Sequence, residues 1–472
     1  MSFAVYKFIL SSSPFGDGWI TRYESPDYAG ESASGPFSIF RFNECFLDSS
    51  DNIIAGGGIF LQDDFGQATA GLFASIDPEG VDINYTKYWN AVDDVGAPLQ
   101  NQPITALHDF GNNIAFAIGN FEYAVQPYGS GIRSVGAFKL STSTGAYLDS
   151  WWWRNTGTDN TRLDGLTVMG GDYYILCPRP AGTGFETSIV KTNSSFTEQW
   201  SIQLYSGVYG SEKLYFTNFT PYNAANDGTS VYFIAIGEIS NESFIVEIDS
   251  SGSIQNTYKL DNGDATAGIY FISVFVYGGY LYAGTIDGYL FKIDLSTFTV
   301  DWVVGLDFAP ATNHVSSVLV TDDGDIYALF GDVVKVIVKL NSSGEVQYAK
   351  EITGSGAGEG AGVYGGGQSV SSDGNFILFC GGYQYVDNSQ APVVVRWPIH
   401  EAVPVDGPAN GVFGDFEISD VSYTLSSTTG YTISSTTNQA TSTSIDGYDP
   451  TGFPSSQYAD GDLSNDVKSN FK

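Results

Sequence analysis

Basic residues are scarce in this chain. Its 472 residues hold 19 Lys and Arg against 53 Asp and Glu, a formal net charge of −34. A surface of that sign repels phosphate, which argues against wrapping nucleic acid or lying on an anionic membrane. Cysteine is equally sparse: Cys45, Cys177 and Cys380 are far apart in sequence, so neither a disulfide framework nor a Cys-x-x-Cys pair is available. Each lies in apolar, strand-like sequence, the usual setting of a buried inert thiol. Only His108, His314 and His400 could supply imidazole to a metal site or a Ser-His-Asp triad, and loop or packing roles are the simpler reading of all three. No run of 18 apolar residues occurs, so no helical membrane span is expected. The opening residues Val5 to Leu10 alternate polar and apolar without a basic region before them; they read as a strand, not a signal peptide.

Glycine and aromatic residues are abundant, with 56 Gly, 30 Tyr and 32 Phe. The hydrophobic share of 42% suffices for a sizeable core. A phrase recurs along the chain: a basic residue, an aliphatic one, Asp or Asn, turn formers, then an aromatic-rich strand. Clear copies are Lys292-Ile293-Asp294 running to Trp302, Lys339-Leu340-Asn341-Ser342-Ser343-Gly344 and Glu247-Ile248-Asp249-Ser250-Ser251-Gly252. Weaker ones start at Ser75, Lys139 and Lys191, and Arg396-Trp397-Pro398 is degenerate. Measured from Asp77 through Ser141, Asn193, Asp249, Asp294, Asn341 and Pro398, the steps are 64, 52, 56, 45, 47 and 57 residues. That is the spacing of propeller blades with variable loops. A hairpin signal stands upstream of each copy, as in Gly278-Gly279 and Asp322-Asp323-Gly324-Asp325. Two signals thus agree on seven units between about residues 41 and 404.

Within the phrase, Asx and Ser side chains accept from the backbone two residues on and Gly takes the positive φ, so the motif is the turn between third and fourth strands of a unit. The repeated base reads as a strand residue pairing with nearby carboxylates. The run Gly288-Tyr289-Leu290-Phe291-Lys292-Ile293-Asp294 with Trp302 resembles the blade repeat of pyrroloquinoline-quinone-type and tryptophan-aspartate-repeat propellers. This resemblance implies an all-β, seven-bladed propeller over residues 1–404. In it, residues 1–10 would form a closing strand beside Val393 to Trp397, and residues 11–40 a linker.

Beyond residue 404 the composition changes. From Trp397 to Val467 there are ten Asp or Glu and no Lys or Arg, and between Ser419 and Ser444 16 of 26 residues are Ser or Thr. Residues 405–472 read as an extended acidic extension. A small hairpin joining Val421–Leu425 to Tyr431–Ile433 is expected in it. Leu463, Val467 and Phe471 fall at i, i+4 and i+8, which predicts a short terminal helix from Asp462 that docks on a partner.

Chemistry-bearing motifs are few. Asp322-Asp323-Gly324-Asp325 and Asp460-Gly461-Asp462 lack the rest of a calcium loop, and the glycine-rich run from Gly354 to Gly360 lacks the Lys-Ser/Thr of a phosphate loop. Trp151-Trp152-Trp153 is the most unusual feature. Trp151 and Trp153 share one face of a strand and could pack between blades or offer a platform to a sugar ring. No catalytic, cofactor-binding or metal-binding residue is expected. In style the chain resembles tailed-phage structural proteins, being Gly/Ser/Thr/Tyr-rich, Lys- and Met-poor and acidic. The expectation is a non-enzymatic virion component (tail, fibre or head decoration), made in the host cytoplasm and attached to other virion proteins by its C-terminal extension. A glycan- or receptor-binding propeller is the first alternative, and a lyase or hydrolase with a site in the central channel is the second.

Overall fold

The computed structural model describes residues 18–24, 41–63, 66–89, 104–111, 114–123, 132–155, 165–181, 184–195, 197–204, 214–215, 224–237, 243–261, 270–308, 314–331, 335–354, 368–370, 374–384, 390–399, 403, 405–413, 416–426, 431–436, 448–451, 458–460 and 464–471. Every regular element among them is a β-strand, and the strands form seven sheets. β1 (Gly18–Glu24) stands apart from the strands that follow it in sequence.

Six sheets are built on consecutive antiparallel strands. The first holds β2 (Arg41–Leu47), β3 (Ile53–Asp63), β4 (Gly66–Ile76) and β5 (Ile83–Trp89). The second holds β6 (Ile104–Gly111), β7 (Ile114–Tyr123), β8 (Ile132–Ser141) and β9 (Tyr147–Asn155). The third holds β10 (Gly165–Met169), β11 (Asp172–Ala181), β12 (Gly184–Thr192) and β13 (Glu198–Leu204). In the fourth the inner strand is in two pieces, β14 (Leu214–Tyr215) and β15 (Ala224–Asn226), before β16 (Ser230–Gly237), β17 (Ser243–Asp249) and β18 (Ile254–Asp261). The fifth holds β19 (Phe271–Tyr277), β20 (Tyr280–Thr285), β21 (Tyr289–Asp294) and β22 (Thr299–Asp307). The sixth holds β23 (Val315–Val320), β24 (Ile326–Phe330), β25 (Lys335–Leu340) and β26 (Val346–Gly354). The last sheet is composite: β27 (Gln368–Val370), β28 (Phe376–Gln384) and β29 (Gln390–Pro398) are joined by β1, with Trp19 opposite Arg396 and Arg22 opposite Val393.

The sixth sheet packs on a neighbour with each face, which is why β24 reads Ile-Tyr-Ala-Leu-Phe without a polar residue and is buried throughout. The core is accordingly divided into wedges between sheets. One, between fifth and sixth, gathers Leu290, Val315, Ala328 and Val338; another, between sixth and composite, gathers Ile337, Leu329, Ile20, Val393 and Val395. This is the architecture of a β-propeller. The strand that enters the composite sheet is residues 18–24, inside the expected linker 11–40, while residues 1–10 lie outside the described residues.

The C-terminal extension departs most from expectation. Its described strands add to the outer edges of the sheets in reverse order, to all but the third. β30 (Gly411–Phe413) and β31 (Phe416–Asp420) extend the sixth sheet, β32 (Thr424–Leu425) the fifth and β33 (Thr432–Thr436) the fourth. β34 (Tyr448–Thr451) extends the second, β35 (Tyr458–Asp460) the first and β36 (Ser464–Phe471) the composite sheet, beside β1. Among the described residues the third sheet receives no such strand. The expected hairpin is therefore absent: Thr424–Leu425 and Thr432–Thr436 serve different sheets. The expected terminal helix is likewise strand β36. Eight residues that include Ser464, Asn465, Ser469 and Asn470 are poor helix formers, whereas β1 offers a full row of backbone partners.

Apolar residues fasten this belt. Phe416 and Ile418 are fully buried, and Phe416 meets Tyr383 of the composite sheet edge to face at 5.4 Å. Tyr423 packs on Phe308 at 6.0 Å, and Tyr431 on Phe291 at 5.1 Å. Lys350, only 3% exposed in its side chain, pairs with Asp420 at 2.7 Å. If the belt is part of the core, Ile418→Ala will cost about 2–5 kcal/mol in chemical denaturation. A loss below about 0.5 kcal/mol, the range of an exposed substitution, would contradict this.

Candidate functional site: the bands joining neighbouring sheets

The repeated turns face the sheet before them. Lys191 Nζ donates to the Ser250 carbonyl at 2.9 Å and Trp200 Nε1 to the same oxygen at 3.2 Å. Lys292 and Trp302 repeat this on Ser342, at 3.4 and 3.2 Å. The turn glycines, Gly252 and Gly344, have φ of 87° and 81°, and a Cβ on either would come within 2.9 Å of the indole lying on it. Glycine is required there twice over, for the left-handed backbone and for the ring's approach.

The same device recurs with other side chains. Tyr85 of the first sheet donates to the carbonyls of Ser141 and Thr142 at 3.2 and 2.8 Å and lies on Gly145. Lys139 of the second sheet donates to the Ser194 carbonyl in the turn of the third. Between fourth and fifth, Tyr258 stacks on Phe298 with ring centroids 3.3 Å apart. Tyr348 of the sixth sheet lies on Gly407 and accepts from Trp397 Nε1 at 3.0 Å. Trp19 of β1 lies on Gly80 of the first sheet, and Thr21 Oγ1 donates to the Gly80 carbonyl at 3.1 Å. The repeated base thus reaches across the interface as well as pairing within its sheet, Lys191 with Asp172 and Lys292 with Asp301, both at 2.9 Å. Local Asx turns hold each acceptor: Asp249 Oδ1 accepts from the backbone of Ser251 at 2.8 Å and of Ser253 at 3.0 Å.

A second band joins the inner strands. Asn226 Nδ2 donates to Thr167 Oγ1 at 2.7 Å and to the Val168 carbonyl at 3.0 Å, and Ser273 Oγ to the Val315 carbonyl at 2.7 Å. Asn43 Nδ2 donates to the Ile104 carbonyl at 2.7 Å, and the Glu44 carboxyl accepts from the Leu107 backbone N–H. Burial pushes the Glu44 carboxyl up to about 8, against the lowering effect of that hydrogen bond.

The residues singled out in the sequence are not brought together. Trp151 and Trp153 stand in β9 opposite Ala137 and Val135; β9 is flanked on its other side by β34, with Pro450 opposite Trp153. Val467 and Phe471 stand in β36 opposite Arg22 and Gly18, and Leu463 lies outside the described residues. His108 is in β6 and His314 precedes β23, in different sheets; His400 is outside the described residues. Asp325 of the acidic turn pairs with Lys339 at 2.7 Å. Among the described residues no group of three or more His, Cys, Asp or Glu is placed to hold a metal ion. Cys45 and Cys380 are buried thiols.

Strand order and interfaces define a β-propeller. No protein-family model matches the chain, and comparison with curated proteins finds no match. Among solved structures, BamB from Moraxella catarrhalis is similar at 13% identity and a TM-score of 0.38, over 80% of this chain and 100% of that one. A chain in a crystal structure of the mitotic checkpoint complex is similar at 10% identity and a TM-score of 0.47, over 85% of this chain and 100% of that one. The fold assignment rests on the strand order.

Two measurements check these bands. Gly279 has φ of 83° and open space around it, so Gly279→Ala should cost about 1–2 kcal/mol for its backbone alone. Gly344→Ala should cost about 1–3 kcal/mol more, because Trp302 must move; equal losses would show that the indole contact is slack. For Glu44, a carboxyl raised in the folded state is ionised more readily when unfolded, so stability should fall as pH rises from its ordinary value of 4.5 towards about 8. Glu44→Gln keeps the acceptor for Leu107 and should flatten that part of the pH–stability curve; an unchanged curve would remove Glu44 as its source.

Proposed function

We propose that the chain is a non-enzymatic structural and interaction protein, a virion component whose sheets, the composite one included, close into a single seven-bladed ring. The single observation behind this reading is the belt. A chain that spends its last sixty or so residues covering the outer edges of its own sheets is built for permanence and against unwanted edge pairing. The phage setting is supported by the acidic, Lys- and Met-poor, Gly/Ser/Thr/Tyr-rich composition.

Attachment falls to the rim where the belt begins. Val405, Val412 and Leu425 are 81%, 62% and 71% exposed, three of the four large hydrophobic residues that stand out among the described residues. An apolar rim on so charged a surface suits a protein partner. In place of an end-on anchor formed by Leu463, Val467 and Phe471, this reading uses the side of the extension. The triple variant Val405→Ser, Val412→Ser, Leu425→Ser should keep its melting temperature yet fail to co-purify with particles. Normal incorporation of that folded variant would count against the rim, and absence of the wild-type chain from particles would count against the virion reading.

A further inference from the structure

The belt's strands are unequal. The first, β31, has five residue pairs with β26, two fully buried side chains and the Lys350–Asp420 ion pair. The last, β36, has seven pairs with β1. Between them β33 has five pairs, and the other ladders are shorter: two pairs for β32, four for β34 and three for β35. Ladders of two to four pairs, as at β32, β34 and β35, do not by backbone pairing alone hold a strand against its conformational entropy. A further contact gives them a reason to stay. β30, beside the first anchor, lies next to β36, the last, so the belt's beginning and end meet.

We propose that strands β30 to β36 act as a hoop: β30 and β36 form its buckle, β31 with its buried side chains and ion pair and β36 with its seven pairs anchor it, and the strands between them stay docked because both ends are fixed. The ring then opens only after the hoop is released, and release at one end loosens ladders several sheets away. Independent outer strands would behave differently, each fraying according to its own contacts. This inference concerns the belt alone and stands whether or not the protein belongs to a virion.

Two experiments on the full chain separate the alternatives. In the first, a protease recognition sequence replaces residues 427–430, and the folded protein is cut there, leaving every belt strand in place. The hoop predicts that cutting raises the unfolding rate in denaturant on the order of tenfold, because continuity is lost although no strand is removed; an unchanged rate overturns it. In the second, residues 464–471 are deleted and hydrogen exchange is followed by mass spectrometry. The hoop predicts lost protection at Thr432–Thr436 in the fourth sheet while Ile326–Phe330 stays protected. Loss confined to β1 overturns it. If the deletion unfolds the ring outright, the cut protein still decides.

Discussion

The structure depends on one contact made repeatedly: a large or charged side chain of one sheet set against the backbone of its neighbour's turn. Trp200 on Gly252 and Trp302 on Gly344 are its fullest forms. The contact joins two things that a stack of twisted sheets needs. It buries an aromatic face between sheets, and it satisfies a turn carbonyl that would otherwise be left half-covered. Because the acceptor sits in an Asx turn, its position is fixed before the neighbour arrives. Side chains vary from interface to interface: Tyr85, Lys139 and Tyr348 also meet turn backbone, and Tyr258 meets the Phe298 ring of a turn instead, so the requirement is for reach and shape more than for one residue type.

The belt answers a different demand. Sheets arranged around an axis end in outer strands whose backbone groups face solvent, and such edges recruit other strands. Adding one more strand does not remove an edge. It does exchange an apolar, aromatic strand for one rich in Ser, Thr and Asp, as when Ser434 and Ser435 come to lie beside Lys259 and Tyr258. The extension's acidity also finds a place here. Asp420 meets Lys350, one of the chain's few cations, so part of the charge imbalance is a means of holding the belt.

Much of this was legible in the residues. The phrase around Asp249, Asp294 and Asn341 marks its turns because Asx side chains and positive-φ glycines act locally, within four residues. The partner of each turn was not legible, since Trp302 and Gly344 meet through the packing of two sheets. Trp19 could have been read: it completes the Arg396 phrase as Trp302 completes that of Lys292, but the two are 377 positions apart in sequence. The belt left a fainter trace. Phe416, Tyr423 and Tyr431 punctuate a polar tail at steps of seven and eight residues, with no apolar residues at the i+3 and i+4 positions between them that a helix face or a period-two strand would need. They mark the distance from one inter-sheet gap to the next, which has no meaning until the sheets are in place. The helix expected at the end failed for a similar reason. Leu463, Val467 and Phe471 show a local pattern, and the decisive partner, β1, lies at the other end of the chain.

That separation also sets an order in time. β1 precedes every other described strand, and its place between β29 and β36 does not exist until those two segments have been made. Until then Trp19, Ile20 and Tyr23, all buried at the end, lack the part of their cover that the composite sheet supplies. A nascent chain of this kind carries an adhesive segment for tens of seconds at ordinary elongation rates of about 5–20 residues per second. The seam that completes the composite sheet is therefore, during manufacture, an exposed liability, and crowding of several such chains on one message would be felt there first.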